Sequence, residues 1–480
     1  MTIVAHLFNH PSDRLAAIVD GKDVSYGQLC ADIDRGAAYL RSQGIGPGST
    51  VGIHLGPFWQ GDDYASWVAH LAAIRIGATH ASVHDRRLLS ELIELTKVDA
   101  VIGKLPDAFD AQPAPKVIAF DLQTLPTAQE VADDEAQAVR LNLTSGTTGK
   151  PKLIRWDARM IAARVDQLSD LGVINADTCL DSYLSPRTTA GFRYPVATWR
   201  TGGGVLLSGG GRYDELDRAM RSTLCICSPF QLQWLRSRNV HWPQREARTI
   251  VALGGRVAPG LRDWALANLA AKIIICYGST ETGNVAHGDA SIVDRDPGSV
   301  GWLRKGAEVQ IVDADGQPVS PGKAGTVRIR TELMAFADGD ENSRESGWFE
   351  PGDVGVMFED GLLAIAGRSG DVVNIGGVKV SAAEIESKLL ALDGVEDATA
   401  GVVPMPAGDT LWIAVVPRPG VSPTDVAEHI KPMLSRGVPF RVVAVSAIPR
   451  NSMGKVNRRL LIEQARKHLQ ARQQPKREHA

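Results

Sequence analysis

Hydrophobic positions change their spacing repeatedly along this chain. Ser25 followed by Gln28 is a capping box, after which Leu29, Ile33, Ala37 and Leu40 recur at helical spacing until Gly44 ends the run. A helix of about five turns is predicted. TVGIHL (50–55) reads as a strand; Trp67, Leu71 and Ile74 share one helix face closed by Gly77; THASV and DAVIG are further short apolar strands. GGGVLLS, TIVALGG and KIIICYG repeat the pattern. Strand and helix in alternation predict α/β layers with largely parallel sheets, because each parallel pair needs a crossover and is covered on both faces.

Beyond about residue 298 the texture shortens to EVQIVD, the turn-rich ADGQPVSPGKAG and TVRIR, which predicts an antiparallel, barrel-like piece. From Gly367 it changes again, to a strand-like DVVNIGGVKV and a helix capped by Ser381 with Glu384 in the box position and Ile385, Leu389 and Leu392 on its buried face. We therefore divide the chain into a large N-terminal domain over 1–366, made of layered α/β subdomains with the small β-barrel-like piece, and a small α+β domain over 367–480. Past Leu461 the chain turns basic and polar and reads as a solvated helix fraying into a loose tail.

Composition narrows the classes. With 480 residues, 44% hydrophobic and 22% charged, there is apolar surface enough for packed cores and no case for disorder. Lys and Arg total 52 against 55 Asp and Glu, so there is no overall pull toward nucleic acid or an anionic membrane, and any bound anion must be held locally. Five cysteines at 30, 179, 225, 227 and 276 show no C-x-x-C and no zinc spacing; Cys225 and Cys227 read as alternate residues of a strand. Reduced thiols are expected. No basic segment leads into a long apolar run at the N-terminus and no stretch approaches 18 apolar residues, so neither a signal peptide nor a membrane span is expected, and the cytoplasm is the expected location.

The densest local chemistry is LTSGTTGKPK, 143–152. The hydroxyls of Thr144, Ser145, Thr147 and Thr148, the glycines Gly146 and Gly149 and the lysines Lys150 and Lys152 supply donors, close backbone approach and positive charge. Those are the needs of a polyphosphate. It is not a Walker loop, because Gly146 and Gly149 are only three apart, and no G-x-G-x-x-G stands between a strand and a helix, which disfavours a P-loop kinase or ATPase and a dinucleotide dehydrogenase.

These residues resemble the first signature of the adenylate-forming superfamily: acyl- and aryl-CoA synthetases, adenylation domains and firefly-type luciferases. YGSTETG (277–283) resembles the second, GWFEPGDVG (347–355) the third, GRSGDVVNIGGVKVSAAEIE (367–386) the fourth and PRNSMGKVNR (449–458) the fifth. All five stand in family order, so the resemblance covers essentially the whole chain.

The resemblance implies a large N-terminal domain and a small mobile C-terminal one hinged near 369–371. It also implies two half-reactions: a carboxylate attacks the α-phosphorus of ATP to give acyl-AMP and pyrophosphate, and a thiol then takes the acyl group. By carry-over, Thr144, Ser145, Gly146, Thr147, Thr148, Gly149 and Lys152 would hold the β and γ phosphates. Thr280 would donate to the α-phosphate, and Glu281, a hard oxygen ligand, would hold Mg²⁺. Tyr277, Gly278 and Ser279 of the second signature would line the nucleotide site, with Tyr277 flanking adenine and Gly254 and Gly255 leaving room for the ring. Asp353 and Arg368 suit the ribose hydroxyls as acceptor and donor. Lys455 would meet the charge building between carboxylate and α-phosphate, and Gly376 and Gly377 would line a pantetheine tunnel.

Three positions depart from the family pattern. Thr188 in SYLSPRTTAGFRYP stands where many relatives carry a His that gates the acyl pocket. Glu350 and Pro351 precede Gly-Asp where a hydroxyl residue is usual, and the hinge position is Gly370 rather than Asp or Lys. Arg187 and Arg193 read as solvent-facing loop arginines, with recognition of a polar or second carboxylate group on the substrate as the alternative. The expected function is an ATP- and Mg²⁺-dependent acid–thiol ligase for a small carboxylic acid, with CoA as acceptor. One rival is an enzyme that loads the phosphopantetheine of an acyl carrier protein; a more remote one is a non-catalytic nucleotide or acyl sensor, against which Lys455 and Glu281 argue.

Overall fold

The computed structural model describes residues 2–55, 64–83, 86–106, 109, 114–127, 131–145, 151–207, 220–368, 372–375, 378–390, 392, 394–403, 410–431, 439–450, 456 and 460. Ser25 caps the first long helix, Tyr26–Ser42, by accepting from the Gln28 backbone N–H at 3.2 Å, and the helix stops before Gly44 as its pattern predicts.

Two large sheets carry the chain up to Arg368. One has six strands in the order Lys116–Ile118, Ala100–Gly103, Thr50–His54, Thr79–Ser82, Val139–Ser145, Pro151–Asp157. It is parallel except for its last pair, a hairpin with Thr144 opposite Lys152. In the thirteen-stranded second sheet, an edge hairpin feeds a parallel run through Gly204–Leu207, Cys179–Ser182, Leu224–Cys227, Thr249–Leu253 and Lys272–Ser279. Antiparallel pairing then takes over from Gly283–Asp289 through Ser299–Leu303, Leu362–Arg368, Asp353–Met357, Ala324–Thr331 and Ala307–Val312. The barrel-like piece is therefore hydrogen-bonded to the parallel half. Its last strand packs back against Gly283–Asp289 and Ser299–Leu303 over Val285, Ile311, Val327, Ile329 and Leu363.

The helices Tyr26–Ser42, Tyr64–Arg75 and Thr189–Arg200 share one core with strands of both sheets. Tyr64–Arg75 was expected to bury one face, but every residue from Ser66 to Ile74 is buried, because the helix is sandwiched in a core shared by strands of both sheets. Trp67 stacks on Phe192 of the helix Thr189–Arg200 with ring centroids 5.7 Å apart and meets Trp199 edge-on at 5.1 Å. Cys225 and Cys227 do alternate on a strand, buried among apolar side chains, and all five cysteines are free.

Beyond Arg368 a two-stranded ladder, Val372–Ile375 with Val378–Ser381, precedes the helix Ala382–Leu390. A three-stranded sheet of Val395–Val403, Thr410–Pro417 and Phe440–Ala444 follows. Ile385 and Leu389 are buried, with Leu392 packed beside them, in a core separate from those of the large sheets. Among the described residues no helix is long and apolar enough to cross a membrane.

Candidate active site

The parallel strands Thr249–Leu253 and Lys272–Ser279 lie side by side, and their C-terminal ends carry Gly254, Gly255 and the start of the second signature. Ligands in open α/β sheets gather at such strand ends. Gly254 has φ +85°, the left-handed region that favours glycine, which turns the chain away at that point. Gly278 is needed for a different reason. A β-carbon there would come within 1.9 Å of the Gly283 carbonyl oxygen, so it is the tight hairpin, before any ligand, that demands glycine.

Within the hairpin, Ser279 organises the turn. Its Oγ accepts from the backbone N–H groups of Glu281 and Thr282, each at 3.2 Å, and lies 3.1 Å from Thr282 Oγ1. The side chains of Thr280 and Glu281 at the tip are half-buried and make no hydrogen bond among the described residues. A hydroxyl next to a carboxylate, neither with a hydrogen-bond partner among the described residues, can bind a phosphate oxygen and a hard cation.

Tyr277, on the strand leading into this turn, donates through its hydroxyl to Asp353 Oδ2 at 2.7 Å. Asp353 is buried at the start of Asp353–Met357, directly opposite Arg368 on the neighbouring strand. Residues 76 positions apart are thereby joined, and three sequence-expected nucleotide residues occupy one patch.

The segment after Thr331 ties this patch to the hairpin that carries the first signature. The Ala335 N–H donates to the Glu281 carbonyl at 2.8 Å, and two residues on Ala337 bridges Ile154 while the Asp338 N–H reaches the Leu153 carbonyl at 2.9 Å. Lys152 stands next to Leu153, opposite Thr144 across the ladder. Of Thr144, Ser145 and Arg368 only the backbone is described; Gly146, Thr147, Thr148, Gly149, Lys150, Gly370, Gly376, Gly377 and Lys455 lie outside the described residues.

Two expectations change. Arg193 is not a solvent-facing loop residue: it sits on the helix Thr189–Arg200, is 6% exposed and donates through Nη1 to the Arg164 carbonyl at 3.3 Å. Arg187 is half-buried. Thr188 caps that helix, accepting from the Gly191 N–H and donating to the Ser185 carbonyl, both at 2.9 Å.

Sequence reasoning missed Arg164, which is wholly buried beneath the Thr280–Glu281 turn with its guanidinium 4.4 Å over the Trp156 ring. A signal existed. Arg164 falls three residues after Ile161, on the apolar stripe of a helix whose other members are core residues. It also missed a buried pair, His70 and His80, whose Nδ1 atoms are 2.9 Å apart, with Ser82 Oγ 2.9 Å from His70 Nε2. Burial holds both imidazoles well below their ordinary value, and the neighbouring Arg140 charge acts in the same direction.

Among the described residues no cluster of three His, Cys, Asp or Glu side chains could hold a metal. Mg²⁺ does not need one. It is commonly held by one or two carboxylates with substrate phosphates and water, and Glu281 beside Thr280 fits that donor set.

Comparison with known proteins gives the class. The AMP-binding enzyme family matches residues 5–336. The chain is 25% identical to a probable CoA ligase of Humulus lupulus, covering 94% of each, and 27% identical to a fatty acid–[acyl-carrier-protein] ligase of Mycobacterium marinum, covering 95% of this chain and 96% of that one. Its fold matches ATP-bound MatB from Rhodopseudomonas palustris with a TM-score of 0.80 at 23% identity, covering 98% of this chain and 100% of the other. It also matches o-succinylbenzoate CoA synthetase of Bacillus subtilis in complex with ATP and magnesium, with a TM-score of 0.79 at 21% identity over 96% and 99% of the two chains. The chain belongs to the AMP-binding enzyme family and is an AMP-forming acid–thiol ligase.

Proposed function

We propose that this ligase activates a small carboxylic acid as its acyl-adenylate with MgATP and passes the acyl group to the thiol of CoA. The observation that carries the site assignment is the Thr280–Glu281 pair, whose side chains have no hydrogen-bond partner among the described residues, next to the Tyr277–Asp353 link, with Lys152 reached through the 335–338 segment. In this reading Asp353 and Arg368 hold the ribose and Tyr277, Gly254 and Gly255 border adenine. The phosphates would be held by Thr280 together with Thr144, Ser145, Gly146, Thr147, Thr148, Gly149 and Lys152. Glu281 would hold Mg²⁺, which neutralises phosphate charge when bound. Lys455 meets the oxygens where negative charge builds, and Gly376 and Gly377 let the thiol arm pass once the domain beyond 366 has turned about 369–371. A reduced, cytoplasmic setting suits free thiols that are mostly buried.

CoA ligases and acyl-carrier-protein ligases both stand among the relatives, so the acceptor is decided by assay. A panel of carboxylic acids screened for ATP–pyrophosphate exchange tests the first half-reaction, and CoA and phosphopantetheinylated carrier protein offered in parallel test the second. Thioester with CoA supports the proposal, and thioester with carrier protein alone replaces its acceptor. Nucleotide binding without pyrophosphate release for any acid would favour the sensor.

A further inference from the structure

The Thr280–Glu281 turn is held from inside the protein by one side chain. Arg164, on the helix Ala158–Asp166, donates through Nη1 to the Thr280 carbonyl and through Nη2 to the carbonyls of Glu281 and Leu333, the last two at 2.6 Å. Its own carbonyl is held by Arg193, and its guanidinium lies over Trp156. Because each peptide is planar, turning the Thr280 carbonyl inward points the Glu281 N–H the other way, toward Ser279 Oγ. The two residues at the tip are thus clamped through their backbones while their side chains remain without hydrogen-bond partners among the described residues.

Such a clamp is costly to keep. A wholly buried cation needs compensation, and the carboxylate that acts on Arg164 is that of Glu281, while Arg193 and Arg304 oppose its charge. Arg is suited to the task where Lys is not, since a planar fork can address three carbonyls at once and stack on an indole.

We propose that Arg164 is a positioning residue for the nucleotide phosphates, fixing the Thr280–Glu281 turn so that both side chains face the α-phosphate and its metal. This rests on reading Thr280 and Glu281 as phosphate and metal residues. It adds that their placement depends on a buried side chain that holds their backbone carbonyls. Adenosine, which lacks phosphate, should not sense the clamp, whereas MgATP should.

The test is calorimetric titration of adenosine and of MgATP into the full chain and into Arg164→Lys, Arg164→Gln and Thr331→Val, with thermal melting as a check on folding. Thr331 Oγ1 donates to the next carbonyl of the turn, Thr282, at 3.2 Å, so its variant loosens the same turn without removing a charge. Adenosine affinity should stay within about two-fold of wild type throughout. MgATP affinity should fall about ten-fold in Arg164→Lys, further in Arg164→Gln and about three-fold in Thr331→Val, the scale of one or two lost hydrogen bonds. If Arg164→Gln does not fold, the Lys variant, which keeps the charge, and Thr331→Val carry the test. Equal loss for adenosine and MgATP, or no loss for either, overturns the clamp. If wild-type protein itself binds MgATP no better than adenosine, the reading of Thr280 and Glu281 fails instead, and the two failures are told apart.

Discussion

His70 and His80 make the stability of this protein sensitive to mild acid, and the size of the effect can be worked from their geometry. Both rings are fully buried, and the 2.9 Å contact between their Nδ1 atoms requires one to donate and the other to accept. A first proton would put a charge on a fully buried ring beside Arg140, whose guanidinium lies 3.9 Å over the Phe192 ring that packs against both histidines, and a second would set two N–H groups face to face. Burial therefore keeps the folded-state values well below 6.5, while the unfolded chain binds protons at its ordinary value. The unfolded state then holds more protons than the native state, so stability is full above about pH 6.5 and is lost as pH falls toward the folded values. Between about pH 7 and about pH 5.5 each histidine removes about 1.2 kcal/mol and the pair about 2.5 kcal/mol. Urea denaturation of wild type and of the double variant His70→Gln, His80→Gln at both pH values measures this as a difference of differences, to which the variant's own loss of hydrogen bonds at neutral pH is irrelevant. The pH-dependent loss should shrink by about 2.5 kcal/mol in the double variant. An unchanged pH dependence would falsify the buried neutral pair.

Other expectations concern the reaction. Glu281→Gln should raise the Mg²⁺ concentration needed for pyrophosphate exchange while the fold persists, because an amide oxygen holds a hard dication less well; an unshifted Mg²⁺ titration places the metal elsewhere. Lys455→Ala should slow acyl-AMP formation about 10²–10³-fold and leave thioester formation from supplied acyl-AMP much less affected, and equal loss in both half-reactions removes its proposed role. Gly377→Leu should leave pyrophosphate release intact while thioester formation collapses and acyl-AMP accumulates; slowing of both steps alike, or of neither, would return that glycine to an ordinary turn. Burial pushes the Cys276 thiol up to about 12, so Cys276 should resist an aromatic disulfide reagent at neutral pH until the chain is unfolded, with reaction in the native state as the contrary result.

Much of this was decided locally and so could be read along the chain. Short apolar runs bounded by glycine became the parallel strands, Ser25 capped its helix, and YGSTETG became a hairpin whose turn is organised by its own Ser279 hydroxyl. The signatures are legible for the same reason, since each packs its chemistry into about ten or twenty neighbouring residues. What joined distant segments was not legible. That Tyr277 meets Asp353, that the 335–338 segment links Glu281 to the strand of Lys152, and that Arg164 rather than a neighbour of Thr280 clamps the turn all depend on strand order and on which helix lies under which loop. Burial of Arg193 and of the His70–His80 pair depends on the same thing: periodicity can place a side chain on a face, but only the packing of two sheets around shared helices decides that the face meets protein instead of water.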